Sequence, residues 1–203
     1  MKIVQTELLI DAGGFGKSDE WRTRYDEICK SIKTIEWPAE SGSFTLYDQA
    51  GKKRGEGSGV KPIKDLCMAR LSGDFGWNLE TRVDIATVKV PGPLDATCAV
   101  GSKLLCVEWE TGNISSSHRS LNKMCLGMLK GALIGGVLIL PTRTMYRYLT
   151  DRVGNFSEIA PYFPFWQSTP VREGILAVMA IEHDAVSLNV PRIKKGTDGR
   201  ALQ

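Results

Sequence analysis

The chain has 203 residues, 42% hydrophobic and 24% charged, which suits one packed domain and excludes a disordered polymer. Its 26 Lys and Arg against 23 Asp and Glu give a net charge of +3, too mild to announce a nucleic-acid binder alone. No run approaches the ~18 apolar residues of a membrane span, the start lacks a signal-peptide pattern, and five cysteines without a C-x-x-C pair argue against disulfides and structural zinc, so a cytoplasmic protein with no membrane partner is expected.

Residues 2–10 (KIVQTELLI) suit a strand or a helix start, and their period does not choose between the two. Asp19 is placed to cap a helix over 20–35, where Trp21, Tyr25, Ile28, Ile32 and Ile35 recur every three or four residues. Turn residues and mixed charge fill 38–59, and GKKRGEGSG (51–59) reads as an exposed loop. Its Gly55-x-Gly57-x-Gly59 spacing is no dinucleotide fingerprint, because no βαβ unit surrounds it, and no nucleotide cofactor is expected. A short helix follows over 62–71. Strand-like runs at 82–90 and 103–109 are separated by PGPLDATCAVGS, which carries hairpin-type turn residues.

In the second half, 116–134 reads as a long helix with an apolar stripe of Leu121, Met124, Cys125, Met128 and Ala132, ended by Gly135-Gly136. VLILP (137–141) is a buried strand. Short helices over 142–151 and 155–163 are broken by Gly154, Pro161 and Pro164, and 175–182 is a second buried strand. Strands alternating with helices give an α/β fold, a central mixed β-sheet flanked by helices on both faces. No linker divides the chain, so a single domain over 1–203 is expected. Residues 1–100 hold 14 basic and 15 acidic side chains, and 101–203 hold 12 and 8. Part of that basic excess, Arg192, Lys194, Lys195 and Arg200, lies in a segment read as a flexible tail over 192–203.

The chemistry concentrates in KLLCVEWETGN (103–113). On a strand, Glu108 and Glu110 project to one face while Val107 and Trp109 face the other. Two carboxylates so placed repel unless a cation lies between them. Asp95, thirteen residues before Glu108, supplies a third, and Glu80 a fourth, which makes an oxygen-ligand set suited to Mg²⁺. An isolated E-x-E describes a solvated edge more often than a metal site. Here it runs into polar donors, Thr111 to Arg119, that lead into a helix start, where N–H groups favour phosphates. Carboxylate-bound metal beside an anion platform points to phosphodiester hydrolysis. His118 could touch a phosphate or bond locally. Glu182-His183-Asp184 alternates across a strand and makes a poor metal site.

GVKPIKDLC (59–67), GPLDA (92–96), EWETGNISSSHRSLNKM (108–124), YLTDRVGNF (148–156), EIAPYF (158–163) and KGTDGR (195–200) together make the chain resemble the BamHI family of type II restriction endonucleases, within the PD-(D/E)xK nuclease superfamily. The resemblance spans nearly the whole chain. It implies a homodimer that cuts double-stranded DNA at a palindrome, GGATCC after the first G, with Mg²⁺ as cofactor and Mn²⁺ able to substitute. By residue it implies metal ligation by Glu80, Asp95, Glu108 and the Trp109 backbone carbonyl, with Asp95, Glu108 and Glu110 catalytic. Glu110 stands where most of the superfamily has lysine, and takes the base or water-orienting role. It also implies DNA contacts by Lys64, Asn113, Ser115, Arg119, Asp151 and Arg152, and minor-groove contacts by Gly196 and Asp198. The dimer surface would be 116–134 and 155–167. Two other readings are a repair or recombination nuclease of the same superfamily and a DNA-binding protein with a vestigial site.

Overall fold

Leu9 and Ile10 are adjacent and both buried, which no regular alternation of side chains allows, while Leu8 before them is exposed. A register shift between Leu8 and Ile10 is the cause, and it explains why the period of this segment was indecisive. The segment is strand β1 (Lys2–Ala12), antiparallel to β7 (Gly174–Glu182). The computed structural model describes residues 1–51, 56–85, 92–150 and 153–194. The loop expected at 52–55, the strand expected at 86–90, the reading residues Asp151 and Arg152, and the tail from Lys195 on with Gly196 and Asp198 lie outside the described residues.

Six strands form the central sheet in the order β1-β7-β6-β5-β4-β3, with β3 (Asn78–Thr81), β4 (Leu94–Val100), β5 (Lys103–Trp109) and β6 (Leu133–Pro141). β5, β6 and β7 run parallel, and the other pairings are antiparallel, so the mixed sheet expected from the sequence is present. Helices α1 (Asp19–Lys33) and α2 (Lys61–Phe75) cover one face, whose core includes Ile28, Ile32, Ile63, Leu71, Val107 and Val137. Helices α3 (Ile114–Leu129), α5 (Phe156–Ile159) and α6 (Phe163–Gln167) cover the other with Leu121, Met124, Phe156, Ile159 and Trp166. Ile28 and Ile32 are fully buried, each contributing about 1.5–3 kcal/mol relative to an exposed side chain. A one-turn helix α4 (Arg143–Tyr146) follows β6, and a small parallel sheet pairs β2 (Thr45–Tyr47) with β8 (Ala185–Ser187).

Several sequence expectations are corrected. Ser18, not Asp19, caps α1: its backbone is extended and its Oγ accepts from Trp21 N–H at 3.1 Å, while Asp19 is already helical and pairs with Arg22. Arg82–Ile85 is not a strand; the pairing lies earlier, in β3. PGPLDATCAVGS is not a turn region, since Leu94–Val100 is a paired strand and Gly101 makes the hairpin at φ +57°. Gly135-Gly136 does not end a helix, because α3 stops at Leu129 and both glycines lie in β6. A Cβ on Gly136 would sit 2.2 Å from Met124 Sδ, so this glycine lets α3 lie close on the sheet. Gly57, Ser58 and Gly59 are buried, and Ser58 bridges to Leu149. The segment drawn as a tail is docked at its start: Ile193 is buried, its carbonyl accepts from Gly59 N–H, and Arg192 lies over the Tyr47 ring.

Candidate active site

β4 and β5 keep antiparallel register down to Ala96 opposite Val107 and then part. The next free donor on that edge, Trp109 N–H, would be buried without a partner, and Asp95 Oδ2 accepts it at 2.8 Å. Asp95 therefore sits in the opening between the two strands. Its other oxygen, Oδ1, accepts from Lys64 Nζ of α2 at 2.6 Å, and the same ammonium is 3.7 Å from Glu80 Oε1 on β3. Glu80 has φ +50°, and its side chain is mostly exposed at the sheet edge. In a strand the N–H and C=O of one residue leave on the same edge, so the Trp109 carbonyl also faces the Asp95 side.

Glu108 and Glu110 project together, as the alternation of β5 requires, toward α3. Glu108 Oε1 pairs with Lys123, whose ammonium also donates to the Pro93 carbonyl at 3.0 Å. Burial, with the Asp95 charge adding to it, pushes the Glu108 carboxyl up to about 7 although Lys123 opposes the shift. Glu110 is buried at the end of the strand, with Oε1 accepting Gly112 N–H and Oε2 accepting the Ser117 hydroxyl, both at 2.6 Å. Burial raises its carboxyl too, and those two hydrogen bonds hold the rise back. Burial alone would lower the Lys64 ammonium, but Asp95, Glu80 and Glu108 outweigh it and the net shift is upward.

Among the described residues no three His, Cys, Asp or Glu side chains converge closely enough to hold an ion unaided. The donor chemistry nonetheless fits a hard divalent cation. Asp95 and Glu108 are buried carboxylates, the Trp109 carbonyl faces the Asp95 side, and two lysines are drawn in to balance the charge. Glu80 completes the set only if its exposed side chain turns inward.

A proton on Glu108 competes with such a cation. Because its pKa is raised to about 7, affinity is weak below that pH, climbs as the proton leaves, and levels off above it. Calcium titrated calorimetrically into the DNA-free protein should bind about fivefold tighter at pH 7 than at pH 6, about twofold tighter again at pH 8, and change little beyond. Equal affinity at pH 6 and pH 8 would contradict the assignment of Glu108.

The polar run after Glu110 becomes the start of α3. Asn113 caps it, with Oδ1 accepting Ser115 N–H at 3.1 Å. Asn113, Ser115 and Arg119 are exposed side by side on the first turns, where the helix dipole favours phosphate. Gly154 N–H donates to Gly112 O at 2.8 Å beside this helix start, while Thr150 N–H donates at 2.9 Å to Ser58 O, in the segment ahead of α2. Lys64 stands inside the carboxylate centre rather than on the open surface, with 15% of its side chain exposed.

Two residues of the centre were not foreseen. Lys123 gave no signal, because helical periodicity does not single out a polar position. Ser117 gave one: it is the polar member of the stripe that continues through Leu121, Met124 and Met128. His118 packs edge-on against Tyr162 at 4.6 Å, joining α3 to the turn before α6. The Glu182-His183-Asp184 run disperses as expected: Glu182 accepts from Thr142, His183 packs on Tyr148, and Asp184 pairs with the Met1 ammonium. Four of the five cysteines are buried and none forms a disulfide. No helix of the described residues is long and apolar enough to cross a membrane.

Comparison with known proteins places this geometry. The sequence model described as Restriction endonuclease BamHI matches residues 1–200. Type II restriction enzyme OkrAI of Oceanobacter kriegii is 49% identical over 203 residues, covering 100% of both chains. Type II restriction enzyme BamHI of Bacillus amyloliquefaciens is 38% identical over 181 residues, covering 86% of this chain and 81% of that protein. The structure of restriction endonuclease BglII complexed with a DNA 16-mer superposes with a TM-score of 0.63, covering 91% of this chain and 79% of the other at 11% identity, a likeness of fold.

Proposed function

This chain belongs to the restriction endonuclease BamHI family, and we propose on that premise that it is a homodimeric, Mg²⁺-dependent enzyme that cuts the palindrome GGATCC after the first G. The observation that carries the reading is the joining of two parts: three buried carboxylates at the opened end of β4 and β5, and the exposed start of α3 beside them. Glu80, Asp95, Glu108 and the Trp109 carbonyl would hold the cation. Such a cation would lower the pKa of a water and steady the leaving oxygen. Glu110 orients that water or takes its proton. Mn²⁺, with similar oxygen preference, substitutes. The cytoplasm is the compartment of such an enzyme.

Asn113, Ser115 and Arg119 read base edges from the helix start, together with Asp151 and Arg152. Arg suits guanine O6 and N7, Asn offers both donor and acceptor, and Asp accepts from cytosine N4–H₂. Lys64 lies at the centre itself, next to the strand being cut, and Gly196 and Asp198 in the basic tail over 192–203 reach the minor groove. Two-fold symmetry matches the palindrome, one half-site per protomer. The second copy docks on the surface formed by 116–134 and 155–167, where Leu126, Leu129, Tyr162 and Phe165 are exposed, Phe165 by 68%. Digestion of a sequenced plasmid with mapped ends tests the site and the cut position, and a sedimentation mass tests the dimer. Ends scattered over unrelated sequences would instead favour a structure-reading nuclease.

Arg152→Ala should lose a base contact, weakening cognate binding by about 1–3 kcal/mol and relaxing one G·C position of each half-site. Competition binding in calcium against a randomised duplex reads this. An equal loss on random DNA would assign Arg152 to the backbone instead.

A further inference from the structure

The Ser117 hydroxyl lies deep in the protein. The residue is fully buried on the inner face of α3, two positions from Ser115 and Arg119, which are exposed on its outer side. A hydroxyl in an apolar stripe costs desolvation unless it finds a partner, and its partner is the Glu110 carboxylate, whose Oε2 accepts at 2.6 Å. The other oxygen, Oε1, is held by Gly112 N–H at 2.6 Å. Gly112 is itself fixed from the far side, since its carbonyl accepts Gly154 N–H at 2.8 Å. The chain passes so close there that a Cβ on Gly154 would lie 2.5 Å from Ser117 Oγ. Both oxygens of Glu110 are thus gripped by one segment, 112–117, that also carries Asn113 and Ser115 and is tied to the segment following 151–152.

We infer that Ser117 is the positioning residue for Glu110, and that through it the placement of the base-reading helix start decides whether this carboxylate is aimed for cutting. The inference rests on the endonuclease reading above. Buried as it is, Ser117 touches no DNA, so it acts on the rate of cutting and leaves binding alone. It explains why a polar residue begins the apolar stripe of α3: the hydroxyl is the rigid link between reading and chemistry, because a helix moves as a unit and a hydrogen bond this short tolerates little displacement.

The test uses the full-length protein on a duplex with one cognate site. Single-turnover cutting by Ser117→Ala should be slower on the order of 10- to 100-fold, as for other groups that orient a catalytic ligand, while affinity in calcium stays at the wild-type value. Ser117→Cys keeps the volume but donates weakly, so it should be slowed as Ser117→Ala is. Combined with Glu110→Gln, Ser117→Ala should cost no more than Glu110→Gln alone, because both act through one group. Wild-type rates in both serine variants, additive losses in the double variant, or a loss located in binding would each overturn the inference. Failure of the wild-type protein to cut any DNA would overturn the endonuclease reading with it, whereas an active wild type with an equally fast Ser117→Ala overturns this inference alone.

Discussion

Replacing Asp95 by Asn is expected to leave specific DNA binding in place and to slow cutting on the order of a thousandfold or more, the cost of losing charge that steadies the transition state through a metal. The side chain keeps its shape, and its amide oxygen can still accept Trp109 N–H, so the opening between β4 and β5 should persist. What disappears is the negative charge. Lys64 then loses its 2.6 Å partner, with Glu80 at 3.7 Å as the remaining anion, and some thermal stability should be lost with it. Binding should survive because Asn113, Ser115 and Arg119 stand on α3, apart from this pair. Supercoiled plasmid assayed in Mg²⁺ beside a gel-shift in calcium separates the two effects. A variant that nicks plasmid at the wild-type rate would remove Asp95 from the active site.

Glu110→Gln should slow cutting by about 10²–10⁴-fold at unchanged affinity, the range for losing a positioned proton acceptor. Glutamine fits the same cage: its carbonyl can accept Gly112 N–H, and its NH₂ can donate to the Ser117 oxygen, whose hydroxyl then turns away. The start of α3 should keep its place, and the melting temperature should move little. Only the charge and the capacity to take a proton are gone. Full activity in Glu110→Gln would show that neither is used, and would leave the bound cation to activate water unaided.

The difference between the two variants is informative. Asp95 anchors a lysine from α2 and a peptide of β5, so its loss disturbs an ion pair and a strand opening together. Among the described residues, the hydrogen bonds to Glu110 come from neutral donors in the segment that follows it, so its loss is close to purely electrostatic. Metal affinity measured in the absence of DNA should therefore fall for Asp95→Asn and remain nearly unchanged for Glu110→Gln. The Ser117 contact becomes dispensable in the second background and not in the first.

The sequence by itself determined what depends on local period and local chemistry. β5 lies at the bounds expected, because the continuous apolar run Leu104–Val107 suits a strand buried on both faces, and strand alternation put Glu108 and Glu110 on one face. The buried strands were legible for the same reason, as was the polar start of α3. Carboxylate chemistry named Asp95 as a partner of Glu108, and the family resemblance agreed, while local turn residues misplaced it outside a strand. The pairing of β4 with β5, which corrects this, is a contact between segments and leaves no periodic mark in Pro93-Leu94-Asp95. Only the tertiary structure decided which cations serve the carboxylates. Lys64 reaches Asp95 across 31 residues of chain, and Lys123 reaches Glu108 from α3. Neither spacing is a motif, because an ion pair between packed elements depends on the distance in space and on low local dielectric, not on separation along the chain. The glycine pair in β6 shows the same limit. Its backbone freedom reads locally as a helix stop, whereas close approach of the Ile175 backbone at Gly135 and of Met124 at Gly136 is what requires it.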